Sequence, residues 1–202
     1  MKKIGIFGGT FDPVHLGHIN LALDAKLQAG LDKVIFIPAK LQPFKLDKRV
    51  TDGKDRLAML REAVSDISGL EVSSYELDAE GISYTYLTMR AMKKAFGDDA
   101  KLYFIMGTDS FLKLEKWKNS RELLETCSYI IGTRPGYKHE ELELCIERIC
   151  RDYNTEVRNI DNVQLDISST EIRRRIDKGI SCGDLIPYKV ERYIKDNGLY
   201  KE

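Results

Sequence analysis

The chain has 202 residues, roughly 1.3 times the ~150 typical of one domain, which points to one domain with a small appendage. Lys and Arg total 32 against 32 for Asp and Glu, formal net charge +0 with an isoelectric point near 6.8, which excludes the globally basic footprint of a nucleic-acid-binding domain, where pI above ~9 is usual. The 43% apolar content is close to the ~45–50% of soluble domains and excludes a disordered chain.

A first strand is expected over Lys3 to Phe7, followed by Leu16, Ile19, Leu23 and Leu27 at helical spacing. Val34 to Ile37 reads as a second strand, and a Lys- and Pro-rich loop runs from Pro38 to Thr51. Leu57, Leu60 and Val64 mark a second helix, Leu70 to Tyr75 a third strand, and Leu87, Ala91, Met92 and Ala95 the inward stripe of a helix stopping near Gly97. Leu102 to Met106 is nearly all apolar, as a strand buried on both faces should be. A helix around Arg121 to Thr126 leads to a strand at Tyr129 to Gly132. Leu142, Cys145, Ile146, Ile149 and Cys150 form a further helix, and a last strand is expected near Val157 to Ile160 or Val163 to Leu165. The segment containing Ile172, Ile176, Val190, Tyr193 and Ile194 is helical, with no strand run.

Alternating strands and helices predict an α/β fold, a Rossmann-like doubly wound parallel sheet with a small C-terminal helical subdomain. Residues 1–202 are expected to form one unit, about 1–166 as the core and about 167–202 as the helical segment. No apolar run approaches the ~18 residues of a membrane span. The apolar stretch after Met1-Lys2-Lys3 breaks at Gly8-Gly9-Thr10, short of the ~7–15 residues of a signal peptide. A cytoplasmic chain is expected, with no membrane partner. Cys127, Cys145, Cys150 and Cys182 form no C-x-x-C pair and read as reduced, mostly buried thiols.

The first strand-to-helix junction reads Gly8-Gly9-Thr10-Phe11-Asp12-Pro13-Val14-His15-Leu16-Gly17-His18. Free backbone N–H groups and the positive end of a helix dipole meet there, an anion site. Its spacing matches neither the P-loop nor the G-x-G-x-x-G fingerprint. Two of the chain's 3 histidines, His15 and His18, lie three apart and are able to point to one side, with Gly17 between them leaving room. Each alone would read as a satisfied polar side chain at a helix start, and no Cys or third His is placed to complete a zinc site. A second cluster runs Ile167-Ser168-Ser169-Thr170-Glu171-Ile172-Arg173. Ser168 with Glu171 fits a capping box, and the hydroxyls with Arg173 one turn later suit a phosphate at the same helix start.

Together, Gly9 to His18 and Ile167 to Arg173 resemble the G-T-F-D-P-x-H-x-G-H and I-S-S-T-x-I-R motifs of the HIGH-type nucleotidyltransferase superfamily. Over nearly its whole length the chain is similar to the bacterial nicotinate mononucleotide adenylyltransferases, with further matches at Ser83-Tyr84-Thr85, Gly107-Thr108-Asp109, Trp117 and Arg134-Pro135-Gly136. The resemblance implies adenylyl transfer from ATP to nicotinate mononucleotide, yielding nicotinate adenine dinucleotide and pyrophosphate in NAD biosynthesis. It implies catalytic roles for His15, His18 and Arg173, and ATP binding by these with Gly8, Gly9, Thr10, Gly107, Asp109, Ser168 and Thr170. Lys45, Thr85, Trp117 and Arg134 would bind the mononucleotide, Thr85 by hydrogen bonding and Trp117 by stacking on the pyridine ring. Mg²⁺ is expected with ATP, without a protein metal site. Where the family has P-P-H-K, this chain has Gln42-Pro43-Phe44-Lys45, keeping the lysine and losing the histidine. Nicotinamide mononucleotide or phosphopantetheine as acceptor, and a non-catalytic ATP sensor, are the alternatives. Oligomeric state and preference for the pyridine acid or amide are not legible in the chain.

Overall fold

The computed structural model describes residues 1–41, 50–133, 139–162, 165 and 167–201. Its strands are Lys2–Gly9 (β1), Lys33–Pro38 (β2), Leu70–Val72 (β3), Ala100–Gly107 (β4), Ser128–Gly132 (β5) and Val157–Ile160 (β6). They form one sheet in the order β3-β2-β1-β4-β5-β6, every neighbouring pair parallel. Helices lie at Leu16–Ala29 (α1), Gly53–Val64 (α2), Tyr75–Asp78 (α3), Thr85–Phe96 (α4), Thr108–Phe111 (α5) and Ser120–Thr126 (α6). Three more follow at His139–Tyr153 (α7), Ser169–Asp177 (α8) and Tyr188–Asp196 (α9), and a 3-10 turn spans Leu114–Lys116. This is the doubly wound α/β arrangement expected from the alternation of elements.

The period-2 geometry of the strands divides the core into two layers. Val34 and Phe36 of β2, with Tyr103 and Ile105 of β4, pack on one face of the sheet with α1, α2, α8 and α9. Their neighbours Ile35, Ile37, Leu102, Phe104 and Met106 pack on the other face with α4, α6 and α7. Ile172 of α8, Val190 and Ile194 of α9 and the linking Cys182 and Ile186 are buried in the first layer, so the C-terminal segment shares the core of the sheet.

Three details differ from the sequence expectation. The buried face of α1 is Ile19, Ala22, Ala25 and Ala29, while Leu23 is exposed and Leu27 is 81% exposed. Small side chains let the helix seat closely on the sheet, and that close packing outweighs the larger leucine stripe. In α4 the buried residues are Thr88, Met89 and Met92, whereas Leu87 and Ala95 are exposed. The third strand ends at Val72 instead of reaching Tyr75, because the Ser73 hydroxyl accepts from Tyr75 N at 3.3 Å and Ser74 starts the short helix α3. Of the two segments expected to close the sheet, Val157–Ile160 forms β6, and Val163 lies outside the described residues.

Candidate active site

The chain crosses from one half of the sheet to the other between β1 and β4, the switch point at which ligands of such folds bind. A cleft of about 850 Å³ opens there, bounded by Gly8 and Gly9 at the end of β1 and Gly107 at the end of β4. Thr10, His15 and His18 line one part of it, and Thr85, Asp109 and Trp117 another.

The turn after β1 is held by its aromatics. Phe11 takes a left-handed φ of 51°, an unfavourable conformation for a bulky residue. Its ring is fixed edge-on against Phe7 at 5.5 Å and against Phe36 at 5.6 Å. A Cβ on Gly9 would lie 2.8 Å from the Phe11 ring, so this glycine is required by the turn's own packing as well as by access to the cleft. A Cβ on Gly17 would stand 3.1 Å from His15 Nδ1, so Gly17 leaves room for the imidazole.

His15 is the N-cap of α1, with extended backbone at φ −142°, and His18 is its N3 residue. The two rings stack at 3.6 Å with 25° between their planes. His15 N donates to His18 Nδ1 at 3.3 Å, the reciprocal half of a capping box built with histidine where Glu or Gln is usual. A nitrogen that accepts cannot carry the proton, so neutral His18 carries it on Nε2 and presents a donor. The cap thereby sets the tautomer. His15 is 5% exposed and His18 half-buried, at the positive end of a 14-residue helix.

The Ser168–Arg173 motif reaches the same turn from behind. Ser168 accepts from Glu171 N at 3.2 Å and caps α8. Ser169 Oγ donates to the Pro13 carbonyl at 3.0 Å, and Arg173 Nη1 donates to the Asp12 carbonyl at 2.6 Å. Arg173 Nη2 also lies 3.4 Å from Thr170 Oγ1. Ser169 and Arg173 thus contact the turn after β1, and Ser168, Thr170 and Arg173 do not line the cleft, which Ile167 does.

On the opposite side, Trp117 is half-buried, edge-on to Phe104 at 6.2 Å, with the remainder of the ring facing the cleft. Lys118 Nζ lies 4.3 Å from the Tyr84 ring centroid. Asp109 Oδ1 is buried without a hydrogen-bond partner, an acceptor awaiting a donor. Lys45, Phe44 and Arg134 lie outside the described residues.

Sequence reasoning missed Glu76. Its carboxylate lines the cleft, is buried, and accepts from Thr88 Oγ1 at 2.6 Å. Burial pushes its pKa above the ordinary carboxylate value, against the hydrogen bonds from Thr88 and Ser83. A Glu beside Ser-Tyr-Glu-Leu-Asp carries no spacing that separates it from a surface carboxylate. It also missed Arg56 and Tyr200, which donate to the Thr10 carbonyl and to Asp12 Oδ1.

Comparison with known proteins agrees with this geometry. The family model described as cytidylyltransferase-like matches residues 6–175. A protein of Clostridium botulinum (strain Eklund 17B / Type B) named "Probable nicotinate-nucleotide adenylyltransferase" is 39% identical over 202 residues, 100% of both chains. One of Thermoanaerobacter sp. (strain X514) with the same name is 40% identical, covering 99% of this chain and 95% of its own. The solved structure of Plasmodium falciparum nicotinic acid mononucleotide adenylyltransferase complexed with NaAD superposes with a TM-score of 0.79 at 21% identity, covering 99% of this chain and 98% of that one. The last shares the fold. The chain belongs to the cytidylyltransferase-like family and, within it, to the nicotinate-nucleotide adenylyltransferase family.

Proposed function

We propose that this enzyme transfers the adenylyl group of ATP to nicotinate mononucleotide, forming nicotinate adenine dinucleotide and pyrophosphate. The observation that carries the reading is the stacked His15–His18 pair at the positive end of α1, inside a cleft that also holds Trp117. A volume of about 850 Å³ lies in the ~300–1,000 Å³ range of ligand sites. The names of the full-length relatives support the same substrate.

An oxygen of the mononucleotide phosphate attacks the α-phosphorus of ATP, and the bond to the β-phosphate bridging oxygen breaks. The attacking oxygen is already ionised at neutral pH, so no side chain has to remove a proton. The chain's contribution is alignment and charge stabilisation. His15, His18 and the N–H groups around Gly9 and Thr10 hold the phosphates, with Nε2–H of His18 donating to an oxygen that gains charge. Asp109 Oδ1 accepts from a ribose hydroxyl, which satisfies its buried oxygen. Arg173 holds the turn from behind, with Thr170 beside it and Ser168 capping the same helix, and Thr85 and Trp117 hold the pyridine ring.

Among the described residues no group of three His, Cys, Asp or Glu gathers to hold a metal. The imidazoles and backbone N–H groups of the cleft suit phosphate oxygens, and Mg²⁺ carried on the triphosphate would keep its waters and take few protein ligands. Bound there it would neutralise charge on the phosphates that His15 and His18 hold. Among the described residues no helix is long and apolar enough to cross a membrane. The four free cysteines support the proposal of a reducing, cytoplasmic setting. The sharing of one core by α8, α9 and the sheet supports the reading of residues 1–202 as one unit.

The test is pyrophosphate release from ATP and Mg²⁺ with nicotinate mononucleotide, nicotinamide mononucleotide or phosphopantetheine, with the product identified by mass. The nicotinate dinucleotide is expected. Preference for another acceptor would overturn the substrate, and tight ATP binding without release for any acceptor would overturn the activity.

A further inference from the structure

We infer that Tyr200 and Arg56 are positioning residues for the phosphate turn, so that the end of the chain, 185 or more residues away in sequence from the turn it braces, sets how the enzyme grips ATP. The inference rests on the adenylyl-transfer reading for its ATP readout and on geometry alone for the turn.

Asp12 lies in the turn between Gly9 and His15 and is 5% exposed. Tyr200 OH donates to its Oδ1 at 2.7 Å, and Thr51 N donates to its Oδ2 at 3.2 Å. Arg56, on α2, is 2% exposed, an unusual depth for a guanidinium that has no direct carboxylate contact among the described residues. It donates from Nη1 to the Thr10 carbonyl and from Nε to the Thr51 carbonyl, both at 2.8 Å. Burial lowers the Arg56 pKa, and the nearby Asp12 charge opposes that shift. Thr10 is a cleft residue and Asp12 is not. The bracing groups therefore act on the back of the turn, and its front faces the phosphates.

Each donor fixes a different atom. Arg56 holds the carbonyl of Thr10, Arg173 that of Asp12, and Tyr200 the Asp12 side chain. A carbonyl held from behind fixes its peptide plane, which at Thr10 sets the direction of the Phe11 N–H, while the Asp12 carbonyl precedes Pro13 and its bond fixes only the path of the chain. The planar fork of arginine spans two carbonyls, which the point charge of lysine does not reproduce. Tyr200 itself has a left-handed φ of 63°, and burial beside the Asp12 charge pushes its hydroxyl pKa up, so it remains a donor.

Tyr193 supplies a matched control. Its hydroxyl also ties the C-terminal segment to α2, donating to Asp55 Oδ1 at 2.9 Å, without touching the turn. Full-length Tyr200→Phe, Tyr193→Phe and Arg56→Lys should be compared by calorimetric binding of a non-hydrolysable ATP analogue and of nicotinate mononucleotide, and by NMR of the histidine side chains. Loss of a hydrogen bond to a charged group predicts ATP-analogue binding about tenfold weaker in Tyr200→Phe, mononucleotide binding within about twofold of wild type, and shifted His15 and His18 resonances. Tyr193→Phe should lower the melting temperature and leave those resonances and ATP-analogue binding unchanged. Arg56→Lys, where it folds, should behave as Tyr200→Phe. Unmoved His15 and His18 resonances in Tyr200→Phe, or the same behaviour in both Tyr→Phe variants, would overturn the positioning role. A wild-type chain that makes no dinucleotide refutes the acceptor assignment, while the histidine spectra still decide this one.

Discussion

The helix-cap contact of His18 and its proposed role as phosphate donor can be separated by two substitutions. His18→Ala removes the acceptor for His15 N at 3.3 Å and the edge contacts to Phe7 and Phe11 at 6.0 and 5.0 Å. A lost cap costs about 1 kcal/mol, and the ring contacts about another 1 kcal/mol. His18→Gln retains a side-chain acceptor suited to N3 and should lose only the second amount. At this chain length each kcal/mol shifts Tm by ~2–4 °C, so the alanine variant should melt that much below the glutamine variant. His18→Ala loses the imidazole Nε2 donor outright, and removal of one preorganised donor lowers kcat by ~10²–10³, whereas the glutamine amide keeps a less well aimed donor and should lose less. Continuous pyrophosphate detection and thermal melts without ligand measure the two effects. If His18→Ala turns over at near the wild-type rate, the donor assignment is wrong. If the two variants melt together, the cap contributes nothing and the tautomer argument loses its basis.

Trp117→Ala should raise KM for the mononucleotide several-fold more than KM for ATP, and equal changes in steady-state kinetics would reassign the ring to packing on Phe104. Ile172→Ala, at a fully buried position of α8, should destabilise by ~2–5 kcal/mol in urea titration. A much smaller loss would mean that α8 is not part of the sheet's core. Glu76 has a folded-state pKa raised by burial, so the folded state binds its proton more tightly and stability is lost as pH rises through that value. Glu76→Gln should accordingly melt higher than wild type near neutral pH and lose that advantage below the ordinary carboxylate pKa. A pH-independent difference would refute this.

The alternation of elements and the two motifs at Gly9–His18 and Ile167–Arg173 were legible because they are local. A strand, a glycine turn and a helix start occupy consecutive residues, and backbone geometry alone makes such a junction an anion site. The same locality explains where the pattern misled. Leu23 and Leu27 satisfy a helical period, but α1 buries Ala22, Ala25 and Ala29, a choice made by how closely the sheet lets the helix approach. Nothing in the local pattern singles out Arg56 or Tyr200. Their partners stand 46 and 188 residues away.

From the sequence alone, then, came the α/β class, the histidine pair and the nucleotidyltransferase resemblance, all properties of short segments whose conformation depends on neighbours in the chain. Only the tertiary structure decided which face of α1 is buried and that Glu76 lines the cleft. It also turned Ser169 and Arg173 onto the carbonyls of Pro13 and Asp12. Those outcomes depend on hydrogen bonds and burial between segments far apart in the chain, and a buried polar group takes its role from whichever partner the fold brings within reach.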